Sequence, residues 1–183
     1  MRPRTRTLLP CLLLAALCGP AAALAQDYYT MSLSLMGGLG GSQDAEPGDS
    51  FGNTALQAEF SVLTMPQTRV GVRVGKLDLD DEERFGSLSD AQLDYANIGG
   101  EYRYNHGYYE SGIYLALGGY RLSGDDAFGR DTDETSLGLA LGVTGDFFLN
   151  RHLAVRVELS GHYADLEEAR LYGIGHAGLS LRF

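Results

Sequence analysis

Apolar and polar residues alternate with a period of two along most of the chain, which predicts β-strands with two chemically distinct faces. The clearest run is 136–147, where Leu137, Leu139, Leu141, Val143 and Phe147 share one face and Ser136, Gly138, Ala140, Gly142, Thr144 and Asp146 the other. The next sets Leu153, Val155, Val157 and Leu159 against Arg156, Glu158, Ser160 and His162. The last sets Leu179, Leu181 and Phe183 against His176, Gly178, Ser180 and Arg182. Earlier runs at 29–39, 54–63, 69–75, 96–104 and 109–119 fit the same template, predicting eight strands. The alternation is expected to change phase near Lys76 and Tyr95, at a bulge or where the strands leave the apolar zone.

The predicted connections alternate in length. Tight turns fall at 65–68, 105–107 and 149–151, and longer polar connections at 41–52, 78–92, 123–134 and 164–170. Short and long in turn describe an up-and-down meander, and an even number of strands can close without an open edge. The composition then decides which face points outward. The polar face is rich in Gly, Ala and Ser, which weaken a water-facing strand but leave room inside a narrow eight-stranded lumen. The apolar face is therefore read as facing lipid. Aromatic residues fall in two groups, as girdles at two membrane interfaces would: Tyr28, Tyr29, Tyr102, Tyr104, Tyr108, Tyr109, Phe147, Phe148 and Phe183 near the short turns, and Tyr95, Tyr120, Tyr163 and Tyr172 near the long loops. The expected fold is all-β: an eight-stranded antiparallel up-and-down transmembrane β-barrel.

Residues 1–25 carry Arg2, Arg4 and Arg6, an apolar stretch from Leu8 to Leu17, and Ala23-Leu24-Ala25 before Gln26. This predicts a cleaved secretory signal, with cleavage between Ala25 and Gln26 and the barrel occupying 26–183. Both cysteines, Cys11 and Cys18, lie in that signal, so the mature chain would have no disulfide or thiolate chemistry. Its loss takes three of the 14 basic residues and none of the 24 acidic ones, and Lys76 is the only lysine. Nucleic acid is excluded as a main partner, because phosphate contacts need clustered cations.

Three constellations could carry chemistry. Glu59, Arg69, Arg73, Glu101, Arg103, Glu110, Asp146, Arg156 and Glu158 fall on the lumen face, with Glu59 expected near Arg73, Arg103 near Glu110 and Asp146 near Arg156. They read as a plug of ion pairs or as a gated, narrow ion path of low conductance. His162 and His176, with Glu158 and Ser160 or Ser180, hint at hydrolysis, but no nucleophile elbow or zinc-protease motif accompanies them. Acids cluster at Asp78–Glu83, at Asp125, Asp126, Asp131, Asp133 and Glu134, and at Asp165, Glu167 and Glu168. These read as solvated loops, or as weak sites for divalent cations or a cationic surface partner. Gly173–Gly178 spells the dinucleotide-binding pattern, but inside a strand with no helix after it.

The segment Leu179-Ser180-Leu181-Arg182-Phe183 resembles the terminal assembly signal of bacterial outer-membrane barrels, with Leu179, Leu181 and Phe183 as its apolar positions. With the signal segment and the eight runs, the chain resembles the small OmpA/OmpX-type outer-membrane barrels. That resemblance implies an outer-membrane location, recognition by the barrel-assembly machinery, contact with outer-membrane lipid and lipopolysaccharide, and a monomer without cofactor. It implies a structural, envelope-maintaining or surface-interaction role. No peptidoglycan-binding domain is expected after the barrel. A low-conductance channel and a lipid A-modifying enzyme are the alternatives.

Overall fold

The computed structural model describes residues 30–43, 52–79, 88–126, 128–167 and 169–183. The signal segment with Ala25 and Gln26, Tyr28 and Tyr29, and the acids Asp80 to Glu83 and Glu168 lie outside the described residues.

Eight strands form one closed barrel: β1 (Met31–Ser42), β2 (Asn53–Met65), β3 (Thr68–Asp78), β4 (Ser89–Asn105), β5 (Tyr109–Asp125), β6 (Asp131–Phe148), β7 (Leu153–Ala164) and β8 (Leu171–Arg182). Each strand pairs antiparallel with its sequence neighbour, and β8 closes onto β1. The tight β4–β5 turn depends on Gly107, whose φ of 88° suits glycine and whose amide donates to Asn105 Oδ1 at 2.7 Å.

The outer wall of the barrel is an apolar band. Leu35, Ile98, Leu115, Leu117, Leu141, Val143, Leu159 and Leu179 are all exposed, as are the aromatic residues Tyr102, Tyr104, Tyr108, Tyr109, Phe147 and Phe183 at the short-turn end. Toward the long connections this band ends abruptly. Lys76, Asp94, Arg121 and Thr135 pair directly across β3 to β6 as one lateral row. The next outward-facing row is Asp78, Gln92, Ser123 and Asp133. Between these two rows, Leu77, Leu93 and Leu122 pair across the inner wall, each fully or almost fully buried.

On β3 to β6 the two faces thus exchange chemistry between these two rows, while on β2 the first row continues to the exposed Leu56. Where the outside is apolar, the inside is polar, and where the outside turns polar, the inside becomes an oily core. Leu79, Leu88, Ala91, Tyr95, Tyr120, Leu166, Tyr172 and Ile174 join Leu77, Leu93 and Leu122 in that core. Water surrounds the wall beyond the lipid, so burial of apolar area there drives side chains inward.

One expectation is decided and two are corrected. The apolar side switches near Lys76 and Tyr95 because the strands leave the apolar zone, not at a bulge: Arg73, Leu77, Leu79, Leu93, Tyr95 and Asn97 all point inward. Shifts in register lie between Ser89 and Gln92, where Asp90 takes a φ of 52°, and between Leu63 and Met65 before the β2–β3 turn. Tyr95, Tyr120 and Tyr172 belong to the interior and not to an outer girdle, whereas Tyr163 is exposed. The stretches 78–92 and 123–134 are also partly strand: β4, β5 and β6, of 17, 17 and 18 residues, extend beyond the apolar band.

Candidate functional site

Below the apolar core the lumen is filled by five guanidiniums and five carboxylates. Arg156 sits at the centre and is fully buried. Its Nη2 donates to Glu59 and Glu101, both at 3.0 Å, and its Nη1 reaches Asp146 at 3.3 Å. Arg73 pairs with Glu59 at 3.2 Å and Glu101 at 3.5 Å, and its guanidinium stacks 3.7 Å from the centre of the Tyr114 ring. Thr144 donates to Glu101 at 2.6 Å, while Gln57 and Tyr114 donate to Glu158 at 3.1 and 2.8 Å. Nearer the short turns, Arg103 pairs with Asp146 and with Glu110, the latter at 2.9 Å.

All nine sequence-predicted lumen residues therefore lie on the inner wall. The structure brings together Glu59 with Arg73, Arg103 with Glu110, and Asp146 with Arg156. Among the described residues Arg69 takes no part in an ion pair; its Nη1 donates to Ser32 Oγ at 2.7 Å. Arg182 was not singled out, although its parity placed it on the polar face. It bridges Asp146 at 2.6 Å and Glu110 at 3.0 Å, with its guanidinium 4.3 Å from the Phe148 ring centre. Gln57, Asn97 and Tyr114 were likewise missed; their alternation with apolar neighbours was the available signal.

The local fold explains why so many large polar groups fit. Glycine on the wall makes room for them: a Cβ at Gly142 would strike the Tyr114 ring, and one at Gly112 would strike Glu101 and Thr144. Desolvating this many charges is costly, and the arrangement offsets that cost by giving nearly every carboxylate two or more donors.

A second polar layer separates the ion pairs from the oily core. Tyr95 OH donates to Gln57 at 2.7 Å, Asn97 donates to Tyr120 OH at 3.0 Å, and Tyr120 OH lies 3.0 Å from His162 Nδ1. Ser160 Oγ is 3.0 Å from His162 Nε2 and also donates to the Ile174 carbonyl at 3.3 Å. Ser160 and His162 are both buried under the apolar core. His176 pairs across the ladder with Glu158, but neither of its ring nitrogens has a hydrogen-bond partner among the described residues.

The described acids of the long connections are largely committed within the chain. Asp78 pairs with Lys76 at 3.1 Å, Asp133 with Arg121 at 2.8 Å and Asp165 with Arg170 at 3.2 Å. Asp126 accepts from the Phe128 and Arg130 amides at 2.7 and 3.0 Å, and Glu134 from the Glu167 amide at 2.9 Å. Among the described residues no three histidine, aspartate or glutamate side chains converge as a metal site.

Comparison with known proteins agrees with this architecture. Residues 9–183 match the family model described as the outer membrane protein beta-barrel domain. No curated protein sequence matches the chain. Among solved structures, Neisserial surface protein A is similar with a TM-score of 0.65 at 14% identity, over 84% of this chain and 96% of that one. Ail, the attachment invasion locus protein of Yersinia pestis, aligns with a TM-score of 0.56 at 15% identity, over 84% and 97%. The N-terminal β-barrel domain of Pseudomonas aeruginosa OprF aligns with a TM-score of 0.57 at 8% identity, over 83% and 97%. At these identities the likeness concerns the fold.

Proposed function

We propose, from the premise that this chain belongs to the outer membrane protein beta-barrel domain family, that it acts as a sealed barrel. Its work would be structural and interactive: it holds a place in the outer membrane and presents the rigid extension of β4, β5 and β6 at the cell surface. The observation that carries this reading is the double closure of the lumen. Within the apolar band the interior is filled by the ion-pair network around Arg156. Beyond the band it is filled by the core around Leu77, Leu93 and Leu122. An ion crossing the barrel would have to separate buried pairs and then enter an oily layer, and each step is costly.

The same burial argues against hydrolysis. The Ser160 hydroxyl is already engaged by His162 and the Ile174 carbonyl, beneath side chains that exclude an acyl substrate. A general base needs its nucleophile within reach of a substrate carbonyl. Because most described acids of the extension are already engaged within the chain, a divalent cation or a cationic surface partner would meet only its remaining negative charge, and lipopolysaccharide phosphates would need such a cation as a bridge.

The test uses single cysteines in the mature chain, whose sequence has none of its own. A cysteine replacing Phe128, in the β5–β6 connection, should react with a membrane-impermeant maleimide on intact cells. One replacing Gln67, in the β2–β3 turn, should react only after the envelope is opened. Labelling of Gln67Cys and not Phe128Cys on intact cells would overturn the surface role.

A further inference from the structure

The lumen charges balance in number but not in position. Toward the core, Glu59, Glu101 and Glu158 face Arg73 and Arg156. At the short-turn end, Arg69, Arg103 and Arg182 lie around Glu110 and Asp146; Asp146 also serves Arg156, and Arg103 has only a longer contact, 3.9 Å, to Glu101. Among the described residues, Arg69 is the one lumen guanidinium that pairs with no carboxylate. It reaches instead over β2 to Ser32, whose hydroxyl is also 2.7 Å from that of Ser61. Ser32 is the direct cross-strand neighbour of Arg182, so the Arg69 guanidinium ends beside that of Arg182.

These side chains also hold unused donors. Nε of Arg69, Nε and Nη1 of Arg103, and Nε of Arg182 are buried without a hydrogen-bond partner among the described residues. Arg69, Arg103 and Arg182 are 5%, 5% and 6% exposed. A buried guanidinium without a counter-charge is costly, and three converging forks with free N–H groups match the oxygen pairs of a carboxylate or phosphate. The site lies nearer the barrel mouth than the Arg156 cluster: the Glu110 side chain beside it is 16% exposed, whereas that of Arg156, deeper in the lumen, is 0% exposed.

From this juxtaposition we infer that the short-turn mouth of the barrel is a binding site for a small oxyanion. Arg69 and Arg182 are its principal ligands and Arg103 its third wall. The chemistry required is a phosphate or carboxylate group, either free in solution or carried by a lipid headgroup at that face of the membrane. This site lies at the opposite end of the barrel from the extension described above and does not depend on it.

The experiment follows arginine Nε–Hε resonances of the 15N-labelled barrel in uncharged maltoside micelles. Inorganic phosphate is titrated in one arm, and phosphatidylglycerol is added to the micelles in another. Saturable shifts at Arg69 and Arg182, with the exposed Arg121 unmoved, are expected in at least one arm. The arm in which they appear identifies the source. Arg69→Gln should weaken the response by about tenfold or more, the loss that follows removal of a charge-assisted contact. Shifts that rise linearly, or that appear equally at Arg121, would overturn the proposal. Because the wild-type titration decides this alone, the outcome stands even if Arg69→Gln fails to fold.

Discussion

Arg156 Nη2 lies 3.0 Å from Glu101 Oε2, and both side chains are shut away from solvent. The same nitrogen serves Glu59, and the other terminal nitrogen serves Asp146. One cation therefore holds three carboxylates on three different strands. Arg156→Met removes the partner and leaves the acids behind, which should cost about 3–5 kcal/mol of stability. Arg121→Met breaks an exposed pair with Asp133 and should cost under about 1 kcal/mol. Urea unfolding of both variants in lipid vesicles checks the contrast.

The end of the apolar band at the Lys76–Asp94–Arg121–Thr135 row sets the depth of each outward residue. Leu115 lies within the band and Thr135 on its rim. Leu115→Arg should destabilise the barrel by about 2–4 kcal/mol and Thr135→Arg by about 0–1 kcal/mol. Equal penalties in vesicle unfolding would show that the band is misplaced.

Leu122 is packed into the core at the long-connection end, at 2% exposure. Leu122→Ala should cost about 2–5 kcal/mol through the cavity it leaves. The same substitution at Leu117, five residues back on the strand and facing lipid, should cost less, because lipid chains fill the space. A larger loss at Leu117 would argue that no water-bounded core exists there.

Gly142 faces the Tyr114 ring so closely that an added Cβ would strike it. Gly142→Val should push the ring away from Glu158 and from the Arg73 guanidinium it supports. The expected loss is about 1–3 kcal/mol, from overpacking and a broken hydrogen bond. An unperturbed Tyr114 near-ultraviolet or NMR signature in the folded variant would contradict that packing.

The barrel and much of its lumen could be read from periodicity, because a strand exposes its two faces in strict alternation. Glu59, Arg73 and Arg156 were assigned inward by parity alone. What parity could not supply was the change of surroundings along a single strand. Leu77 and Leu93 look like lipid-facing residues out of phase until the wall is known to continue into water, where apolar side chains turn inward. Tyr95, Tyr120 and Tyr172 follow the same rule: their position in the alternation, and not the preference of tyrosine for interfaces, decides their side of the wall. The extra length of β4, β5 and β6 was hidden because a polar outer face and a short apolar inner one resemble a loop. Arg182 stands among the terminal apolar positions Leu179, Leu181 and Phe183, and parity is the one sequence signal that marks it as a lumen residue.

The central claim is that the lumen is closed at two levels, and single-channel recording of the wild-type barrel in a planar bilayer tests it most directly. The account predicts insertion without stepwise current at either polarity. Reproducible unitary steps whose size changes with Arg73→Gln or Glu101→Gln would contradict it.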